Sequence, residues 1–211
     1  YKNANIEISS PGDSLNCKAS ILKLMDDGQR MSISLNAQAA SNSINTSLNW
    51  DNHDDEEKLS GELNTIIRLY KNLANKPEAH VRILPSHAIL NNSQWDIEPS
   101  AILYSDKRLL VDEFDLHRAQ QHIIIDGIAS ENPNDTMKVD LNEVEVDYIL
   151  DLVNFHTVEF SGKATGIANV SSLFGRFAAN ADLRVDDFKF ENGRMGTLSR
   201  PRLTGIRRLS K

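Results

Sequence analysis

Six histidines, at positions 53, 80, 87, 117, 122 and 156, are the side chains of this chain best suited to metal binding or proton transfer. They are scattered along the sequence and form no ligand set with the one cysteine, Cys17. A lone histidine on a strand is ordinarily a solvated or hydrogen-bonded side chain. The run Asp51-Asn52-His53-Asp54-Asp55-Glu56-Glu57 offers oxygen ligands to a hard cation. It lacks the central glycine of a calcium loop and reads as a solvated connection. Carboxylates are plentiful, but nothing in the sequence sets two at the defined separation a glycosidase needs. Cys17 alone makes neither an intrachain disulfide nor a four-cysteine zinc site. The G-x-S-x-G, G-x-x-x-x-G-K-[ST], G-x-G-x-x-G and H-E-x-x-H frames are absent. The N-x-[ST] triplets at Asn45, Asn91, Asn134 and Asn169 are what 20 asparagines produce by chance. The residues thus point to no catalytic centre, no metal and no cofactor.

The elements that must carry any site are strands. In Met31-Ser32-Ile33-Ser34-Leu35-Asn36-Ala37-Gln38 every odd residue is apolar and every even one polar. The same period recurs at Ile44, Thr46, Leu48, Trp50; at Leu59, Gly61, Leu63, Thr65, Ile67, Leu69; at Val158, Phe160, Gly162, Ala164, Gly166, Ala168, Val170; and at Phe177, Ala179, Ala181, Leu183, Val185. Period two with one apolar side predicts half-buried strands of an antiparallel sheet. Turn clusters at Pro11-Gly12-Asp13, Asp26-Asp27-Gly28, Asn91-Asn92-Ser93, Asn132-Pro133-Asn134-Asp135 and Asn192-Gly193 separate the runs. About fifteen strands are expected, at spacings of roughly eight to twelve residues. The segment 66–76 reads as strand, then loop. Odd Leu183 and Val185 give way to even Phe188 and Phe190, so a bulge is expected at Asp186-Asp187. A second break follows Leu141. Beyond it, Val146, Ile149, Leu150 and Val153 stand at helical spacing, predicting one short helix near 147–153 with Asp147 as its cap.

The chain has 211 residues, with 23 Lys+Arg against 30 Asp+Glu, a net charge of −7. Such a balance disfavours nucleic acid as a partner. The last twelve residues hold Arg200, Arg202, Arg207, Arg208 and Lys211 and no acid, leaving −12 on the first 199. The expected organisation is one β-rich domain over 1–198, cut from a longer chain, with a basic tail over 199–211. The chain begins at Tyr1, and no stretch approaches 18 apolar residues. Any anchor or export signal is therefore expected upstream.

A sheet that is apolar on one side must cover that side by closing into a barrel, pairing with a second sheet, or curling part-way around a groove. The small inward positions Gly162, Ala164, Gly166, Ala168, Ala179 and Ala181 favour room between walls, and a closed β-sandwich serving binding or adhesion stays open on periodicity alone. One resemblance bears on the choice. His122-Ile123-Ile124-Ile125-Asp126-Gly127-Ile128-Ala129-Ser130, Asn132-Pro133-Asn134-Asp135-Thr136-Met137-Lys138-Val139, Val153-Asn154-Phe155, Val158 to Gly166 and Asp187 to Leu198 occur in order. Ile83-Leu84-Pro85-Ser86, Trp95-Asp96-Ile97-Glu98-Pro99 and Val111-Asp112-Glu113-Phe114 precede them. Together they resemble an inner stretch of the periplasmic part of the translocation and assembly module TamB, in the AsmA-like family of Gram-negative envelopes. The likeness covers residues 1–198 and departs from the family pattern after Leu198.

The resemblance implies an all-β fold, a long antiparallel sheet curled into a taco-like half-pipe with an apolar interior. It implies a periplasmic protein tethered to the inner membrane. It also implies phospholipid transfer between the two membranes, or, alternatively, a scaffold for outer-membrane protein assembly or secretion. Neither is an enzymatic role. Expected partners are phospholipid acyl chains, an outer-membrane barrel-type protein, and a second copy paired along the sheet edge. The apolar alternation nominates Met31, Ile33, Leu35, Ile44, Leu48, Trp50, Val81, Ile83, Ile123, Ile125, Val139, Leu141, Val158, Phe160, Leu183, Val185, Phe188 and Phe190 as the groove lining.

Overall fold

The computed structural model describes residues 3–24, 30–56, 58–146, 159–176 and 178–191. Its strands form one antiparallel sheet, and the chain packs as two compact units divided between Phe114 and Asp115. The first unit holds β1 (Asn3–Ser9), β2 (Leu15–Leu24), β3 (Arg30–Ala40), β4 (Ser43–Asp51), β5 (Leu59–Lys71), β6 (Pro77–Ile83), β7 (Ser86–Leu90), β8 (Ser93–Ile97) and β9 (Ser100–Ser105). β10 (Arg108–Arg118) runs across the division. The second unit holds β11 (Gln121–Ala129), β12 (Thr136–Glu145), β13 (Glu159–Ser171) and β14 (Ala178–Glu191). Fourteen strands are therefore described. β5 ends at Lys71 and a turn follows, as the sequence indicates for 66–76. The helix expected near 147–153 lies outside the described residues, as do Val158 and the tail 199–211.

The order is nearly sequential because each strand turns back on its predecessor. Three connections are two-residue turns with both residues at positive φ: Ser41-Asn42, Asn91-Asn92 and Asp106-Lys107. That backbone has the hand that matches strand twist, and Asn and Asp tolerate it better than most residues. The one departure from a simple meander lies in the middle. β6 pairs with the second half of β5, and β7 with its first half, so two short strands share one lane. The break between them falls at Leu84-Pro85, where proline has no N–H to give the ladder. The Ser86 hydroxyl fills the gap, accepting from the Asn64 N–H at 2.9 Å and donating to the Leu84 carbonyl at 2.8 Å. β8 and β9 both pair with β10, and Glu98-Pro99 divides them in the same way.

Two register shifts interrupt the second unit. One falls between Leu141 and Val144 on β12, the other opposite Gly162 on β14. Each adds one residue to its strand and returns the next apolar side chain to the same side. The extra residues include Glu143 and Asp187, both near φ 51°. The bulge expected at Asp186-Asp187 is thus present, and the break after Leu141 is a bulge within a strand that continues to Glu145. The buried apolar residues of the first unit are Ile83, Ala88, Trp95, Ile97 and Val111. Those of the second are Ile123, Ala129, Met137, Leu141, Val144 and Ala164.

Candidate functional site

Directly opposed residues of an antiparallel pair share a side of the sheet, so the register assigns every strand residue to a side. In the first unit, four cross-strand rows fall on the apolar side. The first is Ala4, Ile21, Ile33, Trp50, Gly61, Ala88 and Trp95. The second is Ile6, Ala19, Leu35, Leu48 and Leu63. The third is Ile8, Cys17, Ala37, Thr46, Thr65 and Ile83. The fourth is Leu15, Ala39, Ile44, Ile67, Val81 and Ile102. The third row is small between its larger neighbours. Its two hydroxyls share one hydrogen bond, with Thr46 Oγ1 and Thr65 Oγ1 2.7 Å apart, so each has a partner on the neighbouring strand.

Cover over this side is graded. Trp95 and Ile83 are 0% and 3% exposed, whereas Ile6 and Ile8 on β1 are 69% and 67% exposed. Leu15, Ile21 and Ile33 are exposed as well. The sheet edge formed by β1 to β3 thus presents large aliphatic side chains to water. The Trp50 ring lies across Gly61, where a Cβ would collide with it.

In the second unit, Ile123, Leu141, Gly166 and Leu183 form one apolar row, and Ile125, Val139, Ala168 and Ala181 the next. Val185 lies across from Ala164, and Phe190 is in register with Phe160. The bulge at Asp187 keeps Phe188 on the side of Val185. Two glycines of β13, Gly162 and Gly166, sit at φ 132° and 140°, in a region open to glycine alone, and meet the neighbouring carbonyls of Asp186 and Asp182.

The nominated residues therefore fall into two groups. Met31, Ile33, Leu35, Ile44, Leu48, Trp50, Val81 and Ile83 share the apolar side of the first unit. Ile123, Ile125, Val139, Leu141, Leu183, Val185 and Phe188 share that of the second, with Phe160 and Phe190 placed by main-chain register. Sequence reasoning missed one feature. A cavity of about 990 Å³ is lined by Ile8, Cys17, Ala37, Thr46 and Thr65 of the third row, by their polar chain neighbours on β1 to β5, and by Leu84 and Pro85. None of the nominated residues lines it. Alternation gave no signal for it, because a run of small and polar residues does not distinguish a hollow from a solvated surface.

The acidic run Asp51–Glu56 is occupied with its own main chain. Asp51 Oδ1 accepts from the His53 N–H at 2.7 Å, and Asp54 Oδ1 from the Glu56 N–H at 2.8 Å. Four histidines each stand beside one carboxylate: His53 by Asp51, His80 by Glu78, His117 by Asp115 and His122 by Asp140. Among the described residues no three His, Cys, Asp or Glu side chains gather as a metal set. Nor is any described helix long and apolar enough to cross a membrane. No known protein family, curated protein or solved structure matches the chain.

Proposed function

We propose that the apolar side of this sheet carries phospholipid acyl chains across water between the two membranes of a Gram-negative envelope, without catalysing a reaction. The observation that carries the reading is the exposed aliphatic surface of β1 to β3, continued row by row on β4 and β5. Isolated surface aliphatics need no explanation, but a contiguous apolar patch this ordered calls for a ligand or partner. The rows run across the strands. Strand spacing gives about 19 Å of track from β1 to β5. Burying ten methylenes along it is worth about 8 kcal/mol. The small third row forms a furrow between the Leu35-Leu48-Leu63 row and the Ala39-Ile44-Ile67 row, into which a chain can settle while its headgroup stays in water. The resemblance to TamB supplies the envelope setting, the periplasmic tether, the barrel-type partner and the half-pipe, of which this apolar side is the inner wall.

A photoreactive benzoylphenylalanine placed at Leu35 or Leu48 should form adducts with phospholipid when the protein is isolated from envelopes, and at Asn36 or Ser47 it should not. Equal adducts from both sides of the sheet would overturn the reading. Peptide adducts in place of lipid at Leu35 and Leu48 would replace it with the outer-membrane protein scaffold.

A further inference from the structure

We propose, resting on the acyl-chain reading of the same furrow, that the furrow selects acyl chains carrying a hydroxyl group and that Thr46 and Thr65 recognise that group. Across β2 to β5 the two flanking rows are wholly aliphatic, and the row between them is Cys17, Ala37, Thr46 and Thr65. The threonines thus hold the only hydroxyl side chains of these rows. They lie on β4 and β5, inner strands paired on both sides, and both line the cavity of about 990 Å³. Thr65 stands opposite Ile83, which is 3% exposed, and Leu84 and Pro85 wall the cavity just beyond. The polar spot therefore sits at one fixed depth, about one strand spacing of 5 Å from the closed side.

The hydrogen-bond count of the pair is incomplete. Each hydroxyl brings one hydrogen and two lone pairs. One hydrogen is spent on the bond between them, and no other described group bonds either oxygen. One O–H hydrogen is left over, at a place where Thr65 is only 8% exposed. Open to solvent, such a hydrogen bonds water. Beneath a plain acyl chain it bonds nothing, and the lost bond costs affinity. A chain hydroxyl restores the count in both directions. Its oxygen accepts the spare hydrogen, and its own hydrogen goes to a lone pair of either threonine. A chain carbonyl answers only the first need. A charged group is excluded, because the aliphatic rows on either side would strip its water without pairing it.

The test is calorimetric titration of the full chain with stearate, with stearates bearing one hydroxyl at successive positions, and with the matching oxostearates, all below micelle formation. One hydroxystearate should bind about three- to ten-fold tighter than stearate, and tighter than its oxo counterpart. The double variant Thr46→Val with Thr65→Val removes both hydroxyls and keeps shape and strand preference. With its sheet confirmed by circular dichroism, it should bind stearate more tightly than the parent does and lose the preference for a hydroxyl. Thr46→Ser with Thr65→Ser keeps both hydroxyls and should keep the preference. Three results would overturn the proposal while the acyl-chain reading stands: equal affinity for stearate and every hydroxystearate, a preference that survives the valine pair, or an oxostearate that binds as tightly as the best hydroxystearate. Binding of no member of the series would overturn both.

Discussion

Trp50 and Gly61 face each other across β4 and β5, and the indole fills the space a side chain at Gly61 would take. An aromatic laid over a strand glycine covers main chain that would otherwise be open to water and fixes its own rotamer. Gly61→Ala should therefore force the ring away and cost about 1–3 kcal/mol, the usual range for overpacking. The check is a urea titration followed by tryptophan fluorescence, with a lower midpoint and an unchanged slope. The alternation made the side of Trp50 and of Gly61 legible in the sequence, since both stand in regular runs. That Trp50 and Trp95 share one row, with only Gly61 and Ala88 between, was not legible, because cross-strand register depends on turn lengths that alternation does not encode.

At the scale of elements, parity was the strongest signal. The patterns Leu141-Asn142-Glu143-Val144 and Val185-Asp186-Asp187-Phe188 each put two polar residues where alternation allows one, and each is a bulge. Val111-Asp112-Glu113-Phe114 has the same form, and Glu113 has the same positive φ, at 48°. The division of one lane into β6 and β7 was harder to see. Its only trace is Pro85, and the run Val81, Ile83, Ser86, Ala88 looks like a single strand with a slip. Ser86 holds that break together. Ser86→Ala should leave the Asn64 N–H without its acceptor in a part-buried position, costing about 1–3 kcal/mol. Amide exchange should quicken at Asn64, while the ladder between β2 and β3 keeps its protection.

For the molecule as a whole, charge sets a condition on lipid exchange. A chain of net charge −7 meets an anionic bilayer with repulsion that reaches about 30 Å at 0.01 M salt and about 8 Å at 0.15 M. In the lipid reading, transfer of a fluorescent phospholipid from anionic vesicles should speed up as salt rises between those values. Transfer from neutral vesicles should barely change. A rate from anionic vesicles that falls with salt would show that a local basic surface governs docking. Fold class and the one-sidedness of the sheet were legible in the sequence at this scale, because both follow from the period-two pattern. The division into two units was not, since strand patterns continue through residues 111–118 without a change in composition.

The near-sequential strand order has a consequence for how such a chain changes over generations. Each lane leans only on the lanes before and after it, as in a repeat protein, so its stability is close to a sum of local seams. A duplicated or lost hairpin rewrites a single seam and lengthens or shortens the sheet by about 10 Å. Span is then inherited as a count of hairpins. Descendants can gain or lose sheet by whole-hairpin steps, with the chemistry of the remaining rows untouched.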